Sequence, residues 1–337
     1  GFVSLINIIF SSHMKDLMIT NKILNWYDIN KRSLPWRKKT SLKKKQYYTL
    51  VSEFMLQQTQ VSTVIPYFNR FVKNIPDLET LANYDNRKLI KLWEGLGYYS
   101  RVRNLKKTAQ FITYNFNKKL PSNFMDLKSL PGIGDYTASA ISAIAFNKPL
   151  IPLDGNIERV LKRYLYLKKE KQIQKKNLIN KKEIFGTSKR SGDYAQALME
   201  LGALICKPSN PLCDKCPISK NCRSFIKSDF ALTKIKKKNK NKYFLLKVFK
   251  KNNKYLLVKN DKFNFLRNFN IFPMHELIEP KNFNQNLNLK ISNMNMNIKI
   301  EYNNLIKTSS LSYWIDPKKL RNYTLPSFTK KIVNYLE

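Results

Sequence analysis

Leu130-Pro131-Gly132-Ile133-Gly134 is the stretch on which the reading of this chain turns. Two glycines one residue apart allow a turn whose backbone comes close to whatever it faces, and Asp135 or Thr137 can open the next helix. Apolar residues beyond it recur at helical spacing, at Ala138, Ile141, Ile144 and Ala145. The string is therefore expected to be a hairpin between two helices over about residues 123–145. Read alone, a Gly-x-Gly is an ordinary turn between packed helices. The full string, the amphipathic helix after it and an acid further on, Asp154, favour a working site.

At such a hairpin Gly132 and Gly134 leave N–H groups facing outward, and a helix start of this kind offers donors and a partial positive charge to a phosphate oxygen without reading any base. Asp154 lies in Ile151-Pro-Leu-Asp-Gly-Asn156, ahead of a helix expected over Ile157–Tyr164, where it is a natural N-cap. The helix start is expected to hold its carboxylate ionised. Glu53 sits in Tyr48-Thr-Leu-Val-Ser-Glu-Phe-Met-Leu-Gln-Gln58, with apolar residues on most sides. It is either a buried structural acceptor or an acid whose pKa is raised by desolvation. Cleavage of an N-glycosidic bond needs both kinds of carboxylate, a proton donor for the leaving base and an anion facing the sugar as positive charge develops.

The four cysteines, Cys206, Cys213, Cys216 and Cys222, stand with six, two and five residues between them. Four thiolates so placed can close round one centre, either an iron–sulfur cluster or Zn²⁺. Zinc usually shows two Cys-x-x-Cys pairs, whereas this loop has one. No cysteine remains for disulfides elsewhere, which fits a reducing intracellular setting. A cytoplasmic protein is the expectation.

The 337 residues allow more than one core. With 62 Lys plus Arg against 23 Asp plus Glu, a net charge of +39 calls for a polyanion partner, and nucleic acid is the obvious one. Abundant Lys, Asn, Ile, Tyr and Phe also match an AT-rich codon bias, so the charge supports the reading without naming a reaction. No run reaches the roughly 18 apolar residues that cross a bilayer, and Phe2–Phe10 does not read as a signal peptide. Residues 1–17 are expected to be an upstream or unstructured extension, with Met14 or Met18 just ahead of the first helix.

The fold class expected is mainly α: a helical domain over 18–227, carrying the hairpin and the cysteine loop 206–222, a basic linker over 228–242, and a smaller α+β domain over 243–337. The linker rests on the Lys- and Asn-rich run Lys234–Lys242. Beyond it, Tyr243–Phe249, Lys254–Val258 and Asn297–Tyr302 read as strands, Asn252-Asn253 as a hairpin turn and Ser327–Leu336 as a closing helix.

Six ordered motifs then carry a family resemblance: Trp26-Tyr-Asp28, Leu34-Pro-Trp-Arg37, Ser52-Glu-Phe-Met-Leu-Gln-Gln-Thr-Gln-Val61, Gly95-Leu-Gly-Tyr-Tyr-Ser-Arg-Val-Arg-Asn104, Leu130-Pro-Gly-Ile-Gly134 and Leu153-Asp-Gly-Asn156. Over about Asn21–Phe225 the chain resembles the MutY family of adenine DNA glycosylases, in the helix-hairpin-helix, endonuclease III-like superfamily. The resemblance implies removal of adenine mispaired with 8-oxoguanine or guanine from double-stranded DNA, by a monomer with no membrane partner. It implies that Glu53 protonates the base, that Asp154 stabilises the sugar cation and that Asn156 and Tyr136 support them. It implies base extrusion, with Gln58 and Tyr98 or Tyr99 entering the stack, Arg101 on phosphate and a 4Fe-4S cluster on the four cysteines, structural zinc being the alternative. Endonuclease III-like relatives place a Lys second after the Gly-x-Gly turn. Here that position is Tyr136, so the enzyme implied is monofunctional.

The C-terminal part resembles a degenerate NUDIX-like domain, supported by Phe272-Pro273 and Trp314-Ile-Asp-Pro317, without the glutamate-rich box for hydrolysis. The family's Phe-Ser-His loop is not visible. Asn293-Met-Asn295 is its best positional counterpart and Ser309-Ser310 the second. Two other readings stand beside the first: a mismatch thymine or uracil glycosylase of the same superfamily, and a weakly active DNA-binding relic.

Overall fold

The computed structural model describes residues 19–232, 240–267, 269–280, 282–291, 293–303 and 312–337. The expected extension, most of the Lys-Asn run and Ser309-Ser310 lie outside them. Two compact units emerge, Gly1–Asp85 with Ser100–Ile235 in one and Asn86–Tyr99 with Lys236–Glu337 in the other.

The helices run α1 (residues 19–30), α2 (Leu42–Leu56), α3 (Val61–Asn74), α4 (Leu78–Asn83), α5 (Asn86–Trp93), α6 (Ser100–Asn115), α7 (Phe124–Ser129), α8 (Asp135–Phe146), α9 (Gly155–Tyr164), α10 (Lys175–Lys181), α11 (Ser191–Glu200) and α12 (Arg223–Ile226). All but α5 fall in the first unit. Polar caps set several of the starts: Asp77 accepts from Thr80 N (2.8 Å), Asn123 from Met125 N (2.7 Å) and Asp154 from Ile157 N (2.7 Å). The last pair starts α9 at Gly155, two residues before the expected Ile157. α11 ends at Glu200, where Leu201–Ile205 widens into a π turn that delivers Cys206.

α7 and α8 form the expected hairpin. Ile133 N closes the turn on Leu130 O at 3.1 Å, and the Thr108 hydroxyl donates to Pro131 O at 2.9 Å. Gly132 has φ +80, and a Cβ there would lie 2.7 Å from Asn104 Cβ and 3.0 Å from the Phe54 ring. Conformation and space both demand glycine. α2 packs on α8, α3 and α6, and its Tyr47, Leu50, Val51, Phe54 and Met55 are buried. A second group of apolar side chains, from Ile23 and Tyr27 through Ile157 and Leu161 to Leu198 and Leu201, gathers α1, α9 and α11.

Two boundaries differ from the sequence reading. Residues 228–231 are held to the helical unit rather than free as a linker, since Tyr166 donates to Asp229 (2.8 Å) and Lys168 to Ala231 O (2.6 Å). At the other end Lys240–Lys242 already belongs to a strand. α5 also groups with the C-terminal unit, in which Glu94 pairs with Lys330 at 2.8 Å and Tyr99 packs on Phe269 at 4.6 Å between ring centres.

That second unit is α+β. Its strands are β1 (Lys240–Val248), β2 (Lys250–Lys251), β3 (Lys254–Lys259), β4 (Asn270–Ile271), β5 (Met274–Leu277), β6 (Leu287–Ile291), β7 (Met294–Tyr302) and β8 (Ser312–Ile315), followed by α13 (Ser327–Leu336). One sheet has the order β5-β1-β7-β6, with β1 and β7 parallel in register Lys240↔Met294. In the other β3 pairs with β2, β4 and β8. Asn252 and Asn253 take φ of 49 and 57, the left-handed pair a two-residue hairpin needs. Phe244, Leu246, Leu257 and Ile298 meet Phe328, Ile332 and Val333 of α13 in the core. Asn293–Asn295 turns out to be a tight β6–β7 hairpin, with Met294 paired to Ile291 and Asn295 donating to Asn241.

Gly132→Ala is expected to lower stability by about 1–3 kcal/mol through backbone strain and crowding against Asn104. Thermal denaturation compared with Gly134→Ala, where a Cβ meets nothing within 4 Å, reads the difference. Equal melting temperatures would contradict the close packing.

Candidate active site

Three helix segments converge on one cavity of about 510 Å³. α2 contributes Glu53, the first turn of α8 contributes Tyr136, and the start of α9 contributes Asp154 and Asn156. Gln57 and Gln58 lie at its rim, and Arg32, Trp36, Arg37, Gln196 and Glu200 line the rest.

Glu53 is 5% exposed. Burial pushes its carboxyl up to about 7; the hydrogen bond from Tyr136 and the charge of Arg37 act against this, and the Asp154 charge acts with it. Its Oε2 is buried and makes no hydrogen bond. A buried polar atom without a partner costs free energy, so one that faces a cavity marks a place where a ligand atom fits. The Tyr136 phenol is held well above its usual range, first by burial of the hydroxyl and then by Glu53 and Asp154, so it stays a donor.

Asp154 is the N-cap of α9, as expected. Ile157 N donates to Oδ1 (2.7 Å) and Asn156 Nδ2 to Oδ2 (3.1 Å), and both favour the anion. Burial nonetheless outweighs them and raises its pKa. Asn156 is itself fixed: Arg159 Nη2 donates to its Oδ1 (2.7 Å) and to Gly202 O (2.6 Å), while Arg159 Nε donates to Cys206 O (2.6 Å). A side chain at Gly202 would meet Asn156 Cβ at 2.6 Å.

The far wall was not assigned from sequence. Glu200 is fully buried and accepts from Arg32 Nε and Nη2 (both 2.8 Å) and from Arg37 Nη1 (3.0 Å). Burial acts to raise its carboxyl, but the two guanidiniums prevail and hold it below the usual range. The available signal was a lone acid in the apolar run Ala197-Leu-Met-Glu-Leu201, the same pattern that marked Glu53.

The expected DNA-facing residues divide. Gln58 is exposed at the cavity rim with φ 59, and Gly134 begins α8 with no side-chain cap, so the first N–H groups of that helix have no side-chain acceptor there. Gly132 serves the turn, and its carbonyl accepts from Gln57 Nε2 at 3.4 Å. Tyr98 is 47% exposed with φ 47, whereas Tyr99 is buried against Phe269 and is not available to enter a base stack. Arg101 is corrected as well. It is 5% exposed, and the two N–H bonds of its Nη1 are shared among Met55 O and Gln57 O (both 2.6 Å) and Thr59 Oγ1 (3.0 Å), all within the protein.

Cys206, Cys213, Cys216 and Cys222 are free of disulfides and line one small pocket of about 30 Å³, walled mainly by apolar groups such as Val160, Leu201, Ile218 and Phe225. Arg163 Nη1 lies 3.5 Å from Cys206 Sγ and 2.6 Å from Lys207 O, and Nη2 donates to Pro208 O at 2.9 Å. Burial pushes Cys216 up to about 12 and raises Cys213 and Cys222. A cationic inorganic centre would hold the four as thiolates. Among the described residues no three His, Cys, Asp or Glu side chains are drawn into a group that would grip a single ion. Four cysteines on one apolar pocket fit a cluster held by sulfur.

The comparisons agree with this construction. Residues 51–182 match the HhH-GPD superfamily of base excision DNA repair proteins. A solved structure of a thermostable thymine-DNA glycosylase shares the helical fold at 26% identity and TM-score 0.56, over 64% of this chain and 99% of that one. An endonuclease III–DNA complex does so at 19% identity and TM-score 0.51, over 63% and 97%. Fold and cavity thus define a helix-hairpin-helix base-excision protein.

Adenine DNA glycosylases of Buchnera aphidicola are similar at a finer level. The protein of subspecies Baizongia pistaciae is 41% identical over 67% of this chain and 64% of its own length, and that of Schizaphis graminum 38% over 74% and 73%. The rat adenine DNA glycosylase is 41% identical over 60% of this chain and 40% of its own length. The chain belongs to this adenine DNA glycosylase family, while spanning from two fifths to about three quarters of these relatives' lengths.

Folded Glu53 holds its proton more tightly than a free glutamate, so stability falls as pH rises from about 4.5 to about 7. The loss attributable to Glu53 is on the order of 3 kcal/mol. Asp154 acts in the same direction, so in Glu53→Gln the slope of unfolding free energy against pH should shrink without vanishing. Urea titrations across that range check it. An unchanged slope would contradict a buried, protonated Glu53.

Proposed function

We propose that this chain is a monofunctional adenine DNA glycosylase, hydrolysing the N-glycosidic bond of adenine mispaired with 8-oxoguanine or guanine in duplex DNA. The observation that carries the reading is the unpartnered, buried Oε2 of Glu53, in the same cavity as Asp154. Of the two carboxylates, Asp154 has N–H donors that favour its anion, whereas Oε2 of Glu53 has none. A proton held by the pair therefore sits on Glu53.

With the base extruded into the cavity, Glu53 donates that proton to the ring as the C1′–N9 bond breaks, and both bonding electrons leave with the adenine. Asp154 faces the sugar as positive charge develops at C1′. Water then adds its hydroxide to C1′ and returns a proton to the carboxylate pair. Tyr136 donates to Glu53 and keeps it oriented, and Asn156 does the same for Asp154. Arg32 and Arg37, held by Glu200, line the wall that faces the base. Tyr136 carries no amine, so no Schiff base forms there and the strand is left uncut.

Duplex DNA is the partner, acting on a monomer alongside the chromosome, and the net charge of +39 supports that. The cysteine pocket supports a 4Fe-4S cluster held by Cys206, Cys213, Cys216 and Cys222. When bound it supplies a rigid cross-link of the 206–222 loop and no step at the sugar. The α+β unit supports a NUDIX-like reader of the opposite base, although Asn293–Asn295 is tied into a hairpin rather than presented as a loop. The thymine-DNA glycosylase likeness makes thymine opposite guanine the competing substrate.

Single-turnover assays should show excision of adenine opposite 8-oxoguanine and opposite guanine, with thymine opposite guanine untouched. Glu53→Gln should abolish turnover and keep duplex binding. Thymine release, or turnover by Glu53→Gln, would overturn the assignment, as would efficient borohydride trapping of a Lys-linked adduct. The purified protein is expected to be brown, with iron and acid-labile sulfide in equal amounts; a colourless protein with stoichiometric zinc would reverse the cofactor assignment.

A further inference from the structure

Gln58 stands at the rim of the cavity in a backbone conformation that a glutamine rarely adopts, φ 59, one residue past the C-cap of α2. A non-glycine residue persists there only when its surroundings over-determine it. Prominent among those surroundings is one buried guanidinium. Arg101 reaches from the first turn of α6 to the end of α2, and its Nη1 donates on both sides of Gln58: to Gln57 O at 2.6 Å before it and to Thr59 Oγ1 at 3.0 Å after it. The same nitrogen lies 2.6 Å from Met55 O, an acceptor that the end of α2 would otherwise leave open, so its two N–H bonds are shared among these three acceptors. Thr59 Oγ1 donates back to Gln57 O at 3.5 Å, and Thr59 N closes on Leu56 O at 3.2 Å. Gln58 is thus exposed within a small ring of bonds whose members are buried or half-buried. From the opposite side, Gln57 Nε2 contacts Gly132 O (3.4 Å) and Thr137 Oγ1 (3.5 Å), which ties the ring to the hairpin.

We propose that Arg101, acting through Thr59, is a positioning residue that holds Gln58 in its left-handed conformation so that its side chain replaces the extruded adenine in the base stack. This rests on the glycosylase reading and deepens it. Burial removes Arg101 from the DNA surface; the guanidinium acts on DNA through the backbone of residue 58. Gln58 needs that fixed aim because inserting a side chain into a duplex is a matter of placement, and a misplacement of 1 Å can cost about a hundredfold in rate.

The test compares the intact protein with Thr59→Val, which removes only the side-chain link beyond Gln58, and with Arg101→Lys and Gln58→Ala. Single-turnover excision is measured on two duplexes, one with adenine opposite guanine in an intact stack and one with adenine opposite an abasic site, where the stack is already broken. Thr59→Val and Arg101→Lys are expected to lose about tenfold or more on the first and little on the second. Adding Gln58→Ala to Thr59→Val should bring little further loss. Equal losses on both duplexes, no loss on either, or multiplying losses in the double variant would overturn the proposal. If Arg101→Lys does not fold, Thr59→Val alone decides. Fluorescence of 2-aminopurine placed at the adenine position reads extrusion without cleavage. A wild type that brightens the probe but releases no base, with Thr59→Val dimmer, would sink the glycosylase reading and keep this one.

Discussion

Everything at the candidate site depends on one carboxyl group kept out of water with half of its hydrogen-bonding capacity unmet. Glu53 sits in a helix that is buried on nearly every side, with Tyr136 on one oxygen and nothing on the other. Such a group is costly, and the protein holds it by assembling three helix segments around it. α2 carries it, the glycine hairpin sets the start of α8 so that Tyr136 meets it, and the Asp154 cap sets the start of α9. Desolvation raises both carboxyls, and the unequal supply of N–H donors favours the proton on Glu53.

The arginines show how a large positive charge is divided. Arg101, Arg159 and Arg163 each turn inward and satisfy carbonyls where a segment leaves regular structure: the end of α2, the π turn at Gly202 and the start of the cysteine loop at Lys207 and Pro208. Arg32 and Arg37 neutralise Glu200 in the cavity wall. A planar, always-charged fork suits such sites better than a lysine does.

Much of this was legible beforehand, for definite reasons. The hairpin, the Asp154 cap, the burial of Glu53, the Asn252-Asn253 turn and α13 all follow from local rules of conformation and periodicity. The spacing of the four cysteines anticipated that they line one pocket. Glu200 with Arg32 and Arg37 was not, because their pairing spans more than 160 residues of chain and no local pattern records it. Arg101 and Tyr99 were misplaced on the DNA surface for a related reason: sequence shows that a residue is charged or aromatic but not which way its helix faces. For Asp154, the cap that favours its anion was visible in sequence and the burial that opposes it was not.

The most direct measurement is a pH titration of the glutamate side-chain carboxyl carbons by NMR, in protein labelled at those carbons, with Glu53→Gln used to assign the resonance. A carboxyl that titrates at about 7, and is lost in Glu53→Gln, is the result predicted. If every glutamate resonance has finished titrating by about pH 5, in the ordinary range for the side chain, then Glu53 is not the held proton and the account of the site is wrong.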